Sequence, residues 1–180
     1  TRENWQTKRG IFASCSIHVA APSKWLMDKA LNSLMAPAII SSRIIPNGVD
    51  TGVYRPIEKA EARETLNLPQ DSHILLFSAY NASKNSWKDF PTIRNAITRL
   101  RRSELWRRLL LVVLGETKHT GSSEDPEIRF VPFESDQQRV ACWYSAADLY
   151  VHAARADTFP NSILEAMACG LPVIVTGGGA

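Results

Sequence analysis

Two kinds of hydrophobic pattern alternate along most of this chain. One is a short, uninterrupted apolar run, typical of a strand buried on both faces of a sheet; such runs occupy residues 73–79, 109–115, 128–131, 148–153 and 172–176. The other has apolar residues three and four positions apart, as in amphipathic helices; it occupies residues 89–102, 136–147 and 160–169. Strands that alternate with helices predict an α/β fold, a parallel sheet flanked by helices.

The first 45 residues show a different pattern. A strand-like segment leads into a helix, for which Ser23 is the predicted N-cap and Pro37 lies beyond the end. The Asn47-Gly48 pair then predicts a turn. We therefore divide the chain into residues 1–42, the end of one domain with its connection to the next, and residues 43–180, a second domain.

The final residues lack the crossover helix that normally covers a terminal strand. The sequence ends at TGGGA, directly after an apolar run, and an uncovered strand edge is a liability in a folded domain. We therefore expect the second domain to be incomplete at its C-terminus and the chain to be a truncated fragment.

Composition narrows the class of protein. The 180 residues carry a net charge of +3, and no apolar run approaches the roughly 18 residues of a membrane-spanning helix. The cysteines, Cys15, Cys142 and Cys169, lack the spacing of disulfide or metal motifs and stand beside apolar residues. They predict buried free thiols in a reducing compartment, the cytoplasm.

Positive charge is concentrated in residues 98–108. This stretch contains Arg99, Arg101, Arg102, Arg107 and Arg108. A solvated helix face is the favoured interpretation. Contact with an anionic membrane surface is the alternative, and we expect no nucleic-acid partner.

An acidic pair accompanies the last predicted helix. Asp157 lies just ahead of the helix and Glu165 falls in its second turn, while Pro160 suits the first turn and Gly170 ends the helix. A helix N-terminus after a strand attracts anions through its free N–H groups and its dipole. The spacing therefore fits a diphosphate between two carboxylates, as in a nucleotide sugar. A helix cap and a surface carboxylate explain the same two residues equally well.

The stretch YSAADLYVHAARADTFPNSILEAMACGLPVIVT, residues 144–176, resembles the donor-binding domain of the retaining glycosyltransferases of family 4. Their signature is two acidic residues separated by seven others, here Asp157, where glutamate is commoner, and Glu165. Upstream, residues 21–35 and 43–56 resemble the end of the family's N-terminal domain and its interdomain motif. The resemblance covers essentially the whole chain and implies the two-domain GT-B fold, with residues 43–180 as its Rossmann-like donor domain.

The resemblance also implies roles for individual residues. Asp157 would hold the donor sugar and orient its anomeric carbon, as the candidate catalytic residue, and Glu165 would bind the donor ribose. The other implied donor contacts are Lys88 at the diphosphate, the backbone around Phe159, Asn161 and Ser162, and, near the base, Phe130 and Val131. For the last two, an ordinary buried strand is an equal explanation. The chain departs from the family pattern at Ser83, in place of an arginine, and at Pro160, in place of a glycine.

The activity implied is transfer of a sugar from a nucleoside diphosphate sugar to an acceptor hydroxyl with retention of configuration. The acceptor would be a saccharide or a lipid-linked saccharide in polysaccharide or glycoconjugate biosynthesis. We expect no metal and no cofactor beyond the donor substrate, because the sequence has no Asp-x-Asp motif and its histidines are scattered, at His18, His73, His119 and His152. The protein is expected in the cytoplasm, with peripheral membrane contact, and residues 1–180 alone are expected to be inactive.

Three alternatives remain open at this point. The first is another GT-B enzyme, a sugar-nucleotide epimerase or a phosphorylase. The second is a module that binds a nucleotide sugar without catalysis. The third is a basic interaction module that uses residues 98–108.

Overall fold

The computed structural model describes residues 1–100, 102–103, 106–117 and 128–177, which form two compact units. Within the described residues, one unit comprises Thr1–Asn47 with Asp157–Pro160, and the other comprises Gly48–Ala156 with residues 161–177. None of the helices in these ranges is long and apolar enough to cross a membrane.

The first unit contains two parallel strands and two helices. Its elements are α1 (Arg2–Ala13), β1 (Ile17–Ala21), α2 (Lys24–Leu31), a 3₁₀ turn (Ala36–Ala38) and β2 (Ile39–Ile44). The predicted N-cap is confirmed, since the Ser23 hydroxyl accepts a hydrogen bond from the Leu26 N–H at 3.2 Å. The sequence pattern did not predict α1, a helix that buries none of its residues.

The second unit is built on a parallel sheet. Its strands are β3 (His73–Ser78), β4 (Leu109–Leu114), β5 (Ile128–Val131), β6 (Leu149–His152) and β7 (Val173–Val175). They pair in the order β5-β4-β3-β6-β7. Each strand lies within one residue of its predicted bounds, so the predicted α/β fold is confirmed.

Three helices of the second unit follow the predicted pattern. They are α4 (Phe90–Leu100), α5 (Gln137–Ala146) and α6 (Asn161–Ala168), and a further helix, α3 (Lys59–Thr65), precedes β3. Gly170 ends α6 as predicted: its φ is +74°, and the N–H groups of Gly170 and Leu171 bond back to the carbonyl oxygens of Met167 and Ala166, each at 3.0 Å. This is a Schellman motif, which favours glycine at the left-handed position.

Both faces of the sheet are covered by apolar side chains. In β4, Val112 and Leu114 belong to one buried cluster, with α3, α5 and α6, while Leu111 and Val113 belong to the other, with α4. Strand residues point alternately to opposite faces. The continuous apolar runs of β3 and β4 are therefore explained by burial on both sides of the sheet.

An ionic network lies at the amino ends of the strands. Asp148, directly before β6, accepts hydrogen bonds from the Ile74 N–H and from Arg63 Nη2, each at 2.8 Å, and from Lys59 Nζ at 2.7 Å. Burial alone would raise the pKa of the Asp148 carboxyl, but the Ile74 N–H and the two cations outweigh it and lower that pKa. Three protein groups thus hold this carboxylate in place.

The structure corrects one prediction about the cysteines. Cys142 and Cys169 are buried free thiols, as predicted, and burial raises the pKa of both, to about 11 for Cys169. Cys15 is exposed, so its predicted burial is wrong. It lies just after α1, where neighbouring apolar residues do not reach a core.

The basic stretch is exposed where the structure describes it. Arg99, Arg102, Arg107 and Arg108 are all exposed, and Arg108 forms an ion pair with Asp71. Arg101 and His119, both named above, lie outside the described residues.

Candidate functional site

A cavity of about 370 Å³ lies in the second unit, at the carboxyl edge of its sheet. The ends of β3 and β4 contribute Ser78 and Leu114, and further walls come from α5, from α6 and from the turn after β5. From β3, the chain adds strands first on one side and then, starting with β6, on the other. A crevice outside such a reversal of strand order is the usual ligand site of an open α/β sheet.

Glu165 lines this cavity and has a buried partner. It stands in the second turn of α6, half-buried, and its Oε2 accepts a hydrogen bond from the Tyr144 hydroxyl at 2.9 Å. Burial raises the pKa of the Glu165 carboxyl, and the bond from Tyr144 partly opposes that rise. Tyr144 also lines the cavity, although only 1% of its surface is exposed.

The tyrosine that holds Glu165 is packed between two others. Its ring lies edge-on to Tyr54, with centroids 6.3 Å apart, and edge-on to Tyr150, at 5.6 Å. Burial, followed by the nearby Glu165 charge, raises the pKa of Tyr54 to about 12, and burial raises the pKa of Tyr144 as well. Both phenols therefore stay protonated at neutral pH.

Two exposed aromatic side chains also line the cavity. Tyr80 follows β3 and Phe133 follows β5; each is 68% exposed, and their rings meet edge-to-face with centroids 6.2 Å apart. Large aromatic groups left in solvent beside a cavity are typical of a binding surface for a ligand with an apolar face. Sequence reasoning missed this pair. Their shared position, within two residues of the end of a predicted strand, was the available signal.

Phe130 and Val131, predicted near a nucleoside base, are half-buried in β5. The Phe130 ring packs against Phe90 at 6.1 Å, and the Val131 carbonyl oxygen accepts hydrogen bonds from the N–H groups of Gly115 and Glu116, at 2.9 and 3.0 Å. Within the described residues, the wall of the cavity on this side is formed by residues 133–135. The two β5 residues support that wall.

Gly115 is required where the cavity meets the end of β4. Its φ is +99°, and a Cβ added there would stand 2.8 Å from the carbonyl oxygen of Ala79. An L-residue is strained at such a φ, and the neighbouring atom is backbone and cannot move aside. This wall of the cavity is therefore built from two closely packed backbone segments.

Lys88, the predicted diphosphate ligand, is half-buried in the loop of residues 79–89, between β3 and α4. Buried Glu116 anchors this loop, because its Oε2 accepts hydrogen bonds from the N–H and the hydroxyl of Ser83, both at 2.9 Å. Ser83, which stands where the resemblance led us to expect an arginine, thus serves as an attachment point of the loop.

The far end of the 79–89 loop is attached to Arg155. The Arg155 guanidinium pairs with Asp89, at 3.2 and 3.4 Å, and the Arg155 N–H donates to the Trp87 carbonyl oxygen at 2.8 Å. The guanidinium lowers the pKa of the Asp89 carboxyl. Lys88 therefore lies between two residues that are each bound to the segment after β6.

The remaining predicted residues flank the start of α6. Asn161 and Ser162 occupy its first turn, in the second unit, whereas Asp157 and Phe159, both partly buried, belong to the first unit. In that unit the Thr158 carbonyl oxygen accepts a hydrogen bond from the Ser23 hydroxyl at 2.8 Å. Of the predicted donor contacts, Glu165 lines the cavity of the second unit; an action of Asp157 together with Glu165 stays a prediction.

No group of three or more His, Cys, Asp or Glu residues suited to a metal ion occurs within the described ranges. His152 is buried on β6, with its ring 6.4 Å from that of Tyr150. Its packing is that of a core residue.

Related sequences place this chain in a family. The family model described as Glycosyl transferases group 1 matches residues 72–180. D-inositol 3-phosphate glycosyltransferase 2 of Catenulispora acidiphila is 32% identical over an alignment of 142 residues that covers 71% of this chain and 32% of that protein. D-inositol 3-phosphate glycosyltransferase of Streptosporangium roseum is 30% identical over an alignment of 160 residues that covers 76% of this chain and 34% of that protein. The chain thus spans about a third of the length of these relatives.

Solved structures show the same architecture. Sucrose-phosphate synthase from Thermosynechococcus elongatus superposes with a TM-score of 0.75 at 22% identity, covering 99% of this chain and 45% of that one. Anabaena HepE, solved with UDP and glucose, gives 0.70 at 18%, covering 99% and 49%. The C-terminal domain of a glycosyl transferase group 1 protein from Francisella tularensis gives 0.55 at 28%, covering 74% and 72%. The GT-B fold predicted from the sequence is confirmed, and the chain belongs to the group 1 glycosyl transferases.

Proposed function

We propose that the full-length protein transfers a sugar from a nucleoside diphosphate sugar to an acceptor hydroxyl with retention of configuration, as a glycosyltransferase of family 4. The observation that carries the proposal is Glu165, a carboxylate in the wall of a cavity at the carboxyl edge of the sheet. It is the second residue of the acidic pair by which the chain resembles that family. Two similar proteins support a sugar donor of this class: the Catenulispora relative is named a glycosyltransferase, and Anabaena HepE was solved with UDP and glucose.

Glu165 is assigned to the donor ribose. Ribose presents neighbouring hydroxyl groups, and an ionised carboxylate is the strongest acceptor that a side chain offers them. Phe130 and Val131 support the wall beside the base. Asp157 orients the donor sugar for attack at the anomeric carbon and is the proposed catalytic residue.

The developing charge on the diphosphate is the main electrostatic demand of such a reaction. Lys88 supplies a positive charge, and the backbone N–H groups of Asn161 and Ser162, with Phe159 just before them, supply donors at the start of α6. Preorganised groups of this kind lower the barrier by meeting charge where it forms. In the proposed mechanism the donor is the only small molecule bound besides the acceptor, with no metal or cofactor.

The acceptor, the location and the remainder of the protein are also proposals. Residues 1–42 are assigned to the end of an acceptor-binding domain, and the acceptor is a saccharide or lipid-linked saccharide. The buried thiols Cys142 and Cys169 support a reducing compartment, the cytoplasm. The exposed arginines of residues 98–108 support peripheral contact with an anionic membrane.

Binding tests the assignment of Glu165. Isothermal titration of the full-length protein against UDP, GDP and ADP should find one base preferred. Glu165→Gln should lower the affinity for that nucleotide by about 10- to 100-fold, because a hydrogen bond to a charged group contributes roughly 1.5 to 3 kcal/mol. Glu64→Gln, at an exposed position of α3, is the matched control and should leave affinity unchanged. Absence of binding by any nucleotide, or equal affinity in both variants, would contradict the proposal.

Turnover tests the other roles. Lys88→Met should lower kcat by about 100-fold or more, as expected when one group that stabilises charge in the transition state is lost, and Asp157→Asn should abolish transfer while donor binding persists. Incubation with donor but no acceptor distinguishes a transferase from an epimerase, because an epimerase would convert the donor without an acceptor. Full transfer activity in Asp157→Asn would show that another residue carries the chemistry.

A further inference from the structure

The bond between Tyr144 and Glu165 joins the core of the second unit to its cavity. Tyr144 lies in α5, 21 positions before Glu165 in sequence, and its ring is almost fully buried. Its hydroxyl nevertheless donates to a carboxylate that lines the cavity. No local sequence pattern links these two residues; the packing of α5 against α6 brings them together.

We propose that Tyr144 is a positioning residue, which fixes the Glu165 carboxylate so that it accepts the 2′- and 3′-hydroxyls of the donor ribose. This inference rests on the proposed function, in which Glu165 receives the ribose. It adds that a tyrosine-glutamate pair recognises the diol. The glutamate contacts the ligand, and the tyrosine acts through the glutamate without touching the ligand.

The donor and acceptor roles in this pair are fixed. Tyr144 stays protonated at neutral pH, since burial raises its pKa, and an ionised carboxylate can only accept. A carboxylate has about four lone-pair sites, so one bond from Tyr144 leaves sites on both oxygens for the ligand. Two neighbouring hydroxyls need both oxygens at a defined angle, and one fixed oxygen removes much of the rotational freedom of the glutamate side chain.

The position of the Tyr144 hydroxyl is itself fixed. Tyr54 and Tyr150 pack edge-on against its ring, at 6.3 and 5.6 Å, and a buried ring between two others has little room to change rotamer. The hydroxyl is therefore held by the core, while Glu165 stands on the cavity wall. Such support by packed neighbours is what makes a binding group precise.

Removal of the hydroxyl alone separates positioning from packing. Tyr144→Phe keeps the ring and its aromatic contacts. The test uses the full-length protein, the nucleoside diphosphate that binds best, and its 2′,3′-dideoxy counterpart, with both affinities measured by titration calorimetry. We expect Tyr144→Phe to lower the affinity for the ribose nucleotide by about tenfold, the effect of one hydrogen bond. Its affinity for the dideoxy nucleotide should stay within about twofold of the wild-type value.

Tyr150→Phe is the matched control. Tyr150 is also fully buried in this cluster, and it is not among the residues that line the cavity within the described part of the chain. Its substitution should leave the ratio of the two affinities unchanged. Equal weakening of both nucleotides by Tyr144→Phe, or no weakening of either, would overturn the proposal.

The same data distinguish this inference from the proposed function. A wild-type protein that binds both nucleotides equally contradicts the role of Glu165 itself. A wild-type preference for ribose that Glu165→Gln removes and Tyr144→Phe retains contradicts only the positioning role. Should Tyr144→Phe melt too low for titration, Glu165→Asp keeps the charge but withdraws it from the Tyr144 hydroxyl. It should lose the preference for ribose, and retention of that preference would overturn the proposal.

Discussion

Two carboxylates at opposite ends of the sheet in the second unit differ in their hydrogen-bond partners and in the direction of their pKa shifts. At the amino ends of the strands, Asp148 accepts from a backbone N–H and two cations, and its pKa is lowered. At the carboxyl ends, Glu165 lines a cavity, is bonded by the Tyr144 hydroxyl, and has its pKa raised by burial. A carboxylate bonded by three protein groups serves the fold, whereas one bonded by a single hydroxyl beside a cavity is suited to a ligand.

The largest expected effect comes from Asp148→Ala. It removes the counter-charge of buried Arg63, and an uncompensated buried charge costs roughly 3 kcal/mol or more. The free energy of unfolding, from urea titration, should fall by about that amount. Asp28→Ala, which removes an exposed ion pair with Lys24, is the control and should cost about 0.5 kcal/mol or less. A loss at Asp148 no greater than at Asp28 would contradict a structural role for the amino-end network.

Gly115→Ala is expected to have the next largest effect. Its cost should be about 2 to 3 kcal/mol, because φ is +99° and the new Cβ would meet the Ala79 carbonyl oxygen. Gly48→Ala, with nothing within 4 Å of the added Cβ, should change the free energy of unfolding by less than about 0.5 kcal/mol. The pair of measurements shows whether the backbone at the cavity end of the sheet contributes stability. Similar values for both variants would remove that distinction.

The pH dependence of stability should have opposite signs at the two carboxylates. Asp148 has a lowered pKa, so its contribution is present above its ordinary value of 3.8 and is lost as pH falls below it. Glu165 has a raised pKa, so stability should fall as pH rises from 4.5 towards the folded-state value. Urea titrations across this range with Asp148→Asn and Glu165→Gln should each remove one slope, and slopes of the same sign would contradict the comparison.

The smallest change in stability is expected at Tyr80. Since this residue is 68% exposed, Tyr80→Ala should alter the free energy of unfolding by less than about 0.5 kcal/mol. It should still weaken the preferred nucleotide about fivefold, since an aromatic contact contributes roughly 1 kcal/mol. Trp5→Ala, on α1 and 49% exposed, is the control for loss of an exposed aromatic residue and should not alter affinity. Unchanged affinity in Tyr80→Ala would show that the exposed ring pair is no part of the site.

The sequence was sufficient for the elements that repeat a local pattern. The strands of the second unit were predicted from their short apolar runs, which in β3 and β4 are buried on both faces of the sheet. The end of α6 was predicted from Gly170, which takes a left-handed φ. Glu165, which lines the cavity, was singled out by its spacing from Asp157, and its role stays a prediction. In contrast, α1 buries no residue, and Cys15 follows it into solvent, so the apolar neighbours of Cys15 gave the wrong expectation.

The cavity was largely beyond prediction, because its walls come from distant parts of the chain. Tyr54, Tyr80, Phe133 and Tyr144 meet only once the sheet has formed. The position of Tyr80 and Phe133 just beyond predicted strands does not by itself show which residues they meet. The anchors of the Lys88 loop have the same origin, since Ser83 and Glu116 are 33 residues apart. Long-range pairs of this kind are set by strand order, which local periodicity does not contain.

Strand order also affects the sequence of events during folding. The bond from the Ile74 N–H to Asp148 joins residues 74 positions apart, and β3 meets β6 in only two register pairs, against six with β4. Pairing β3 with β4 closes a shorter loop than pairing β3 with β6, so it loses less chain entropy and forms more backbone pairs. We therefore expect β3, α4 and β4 to assemble first and the Asp148 network to close late. In kinetic terms, Asp148→Ala should accelerate unfolding and leave the refolding rate nearly unchanged.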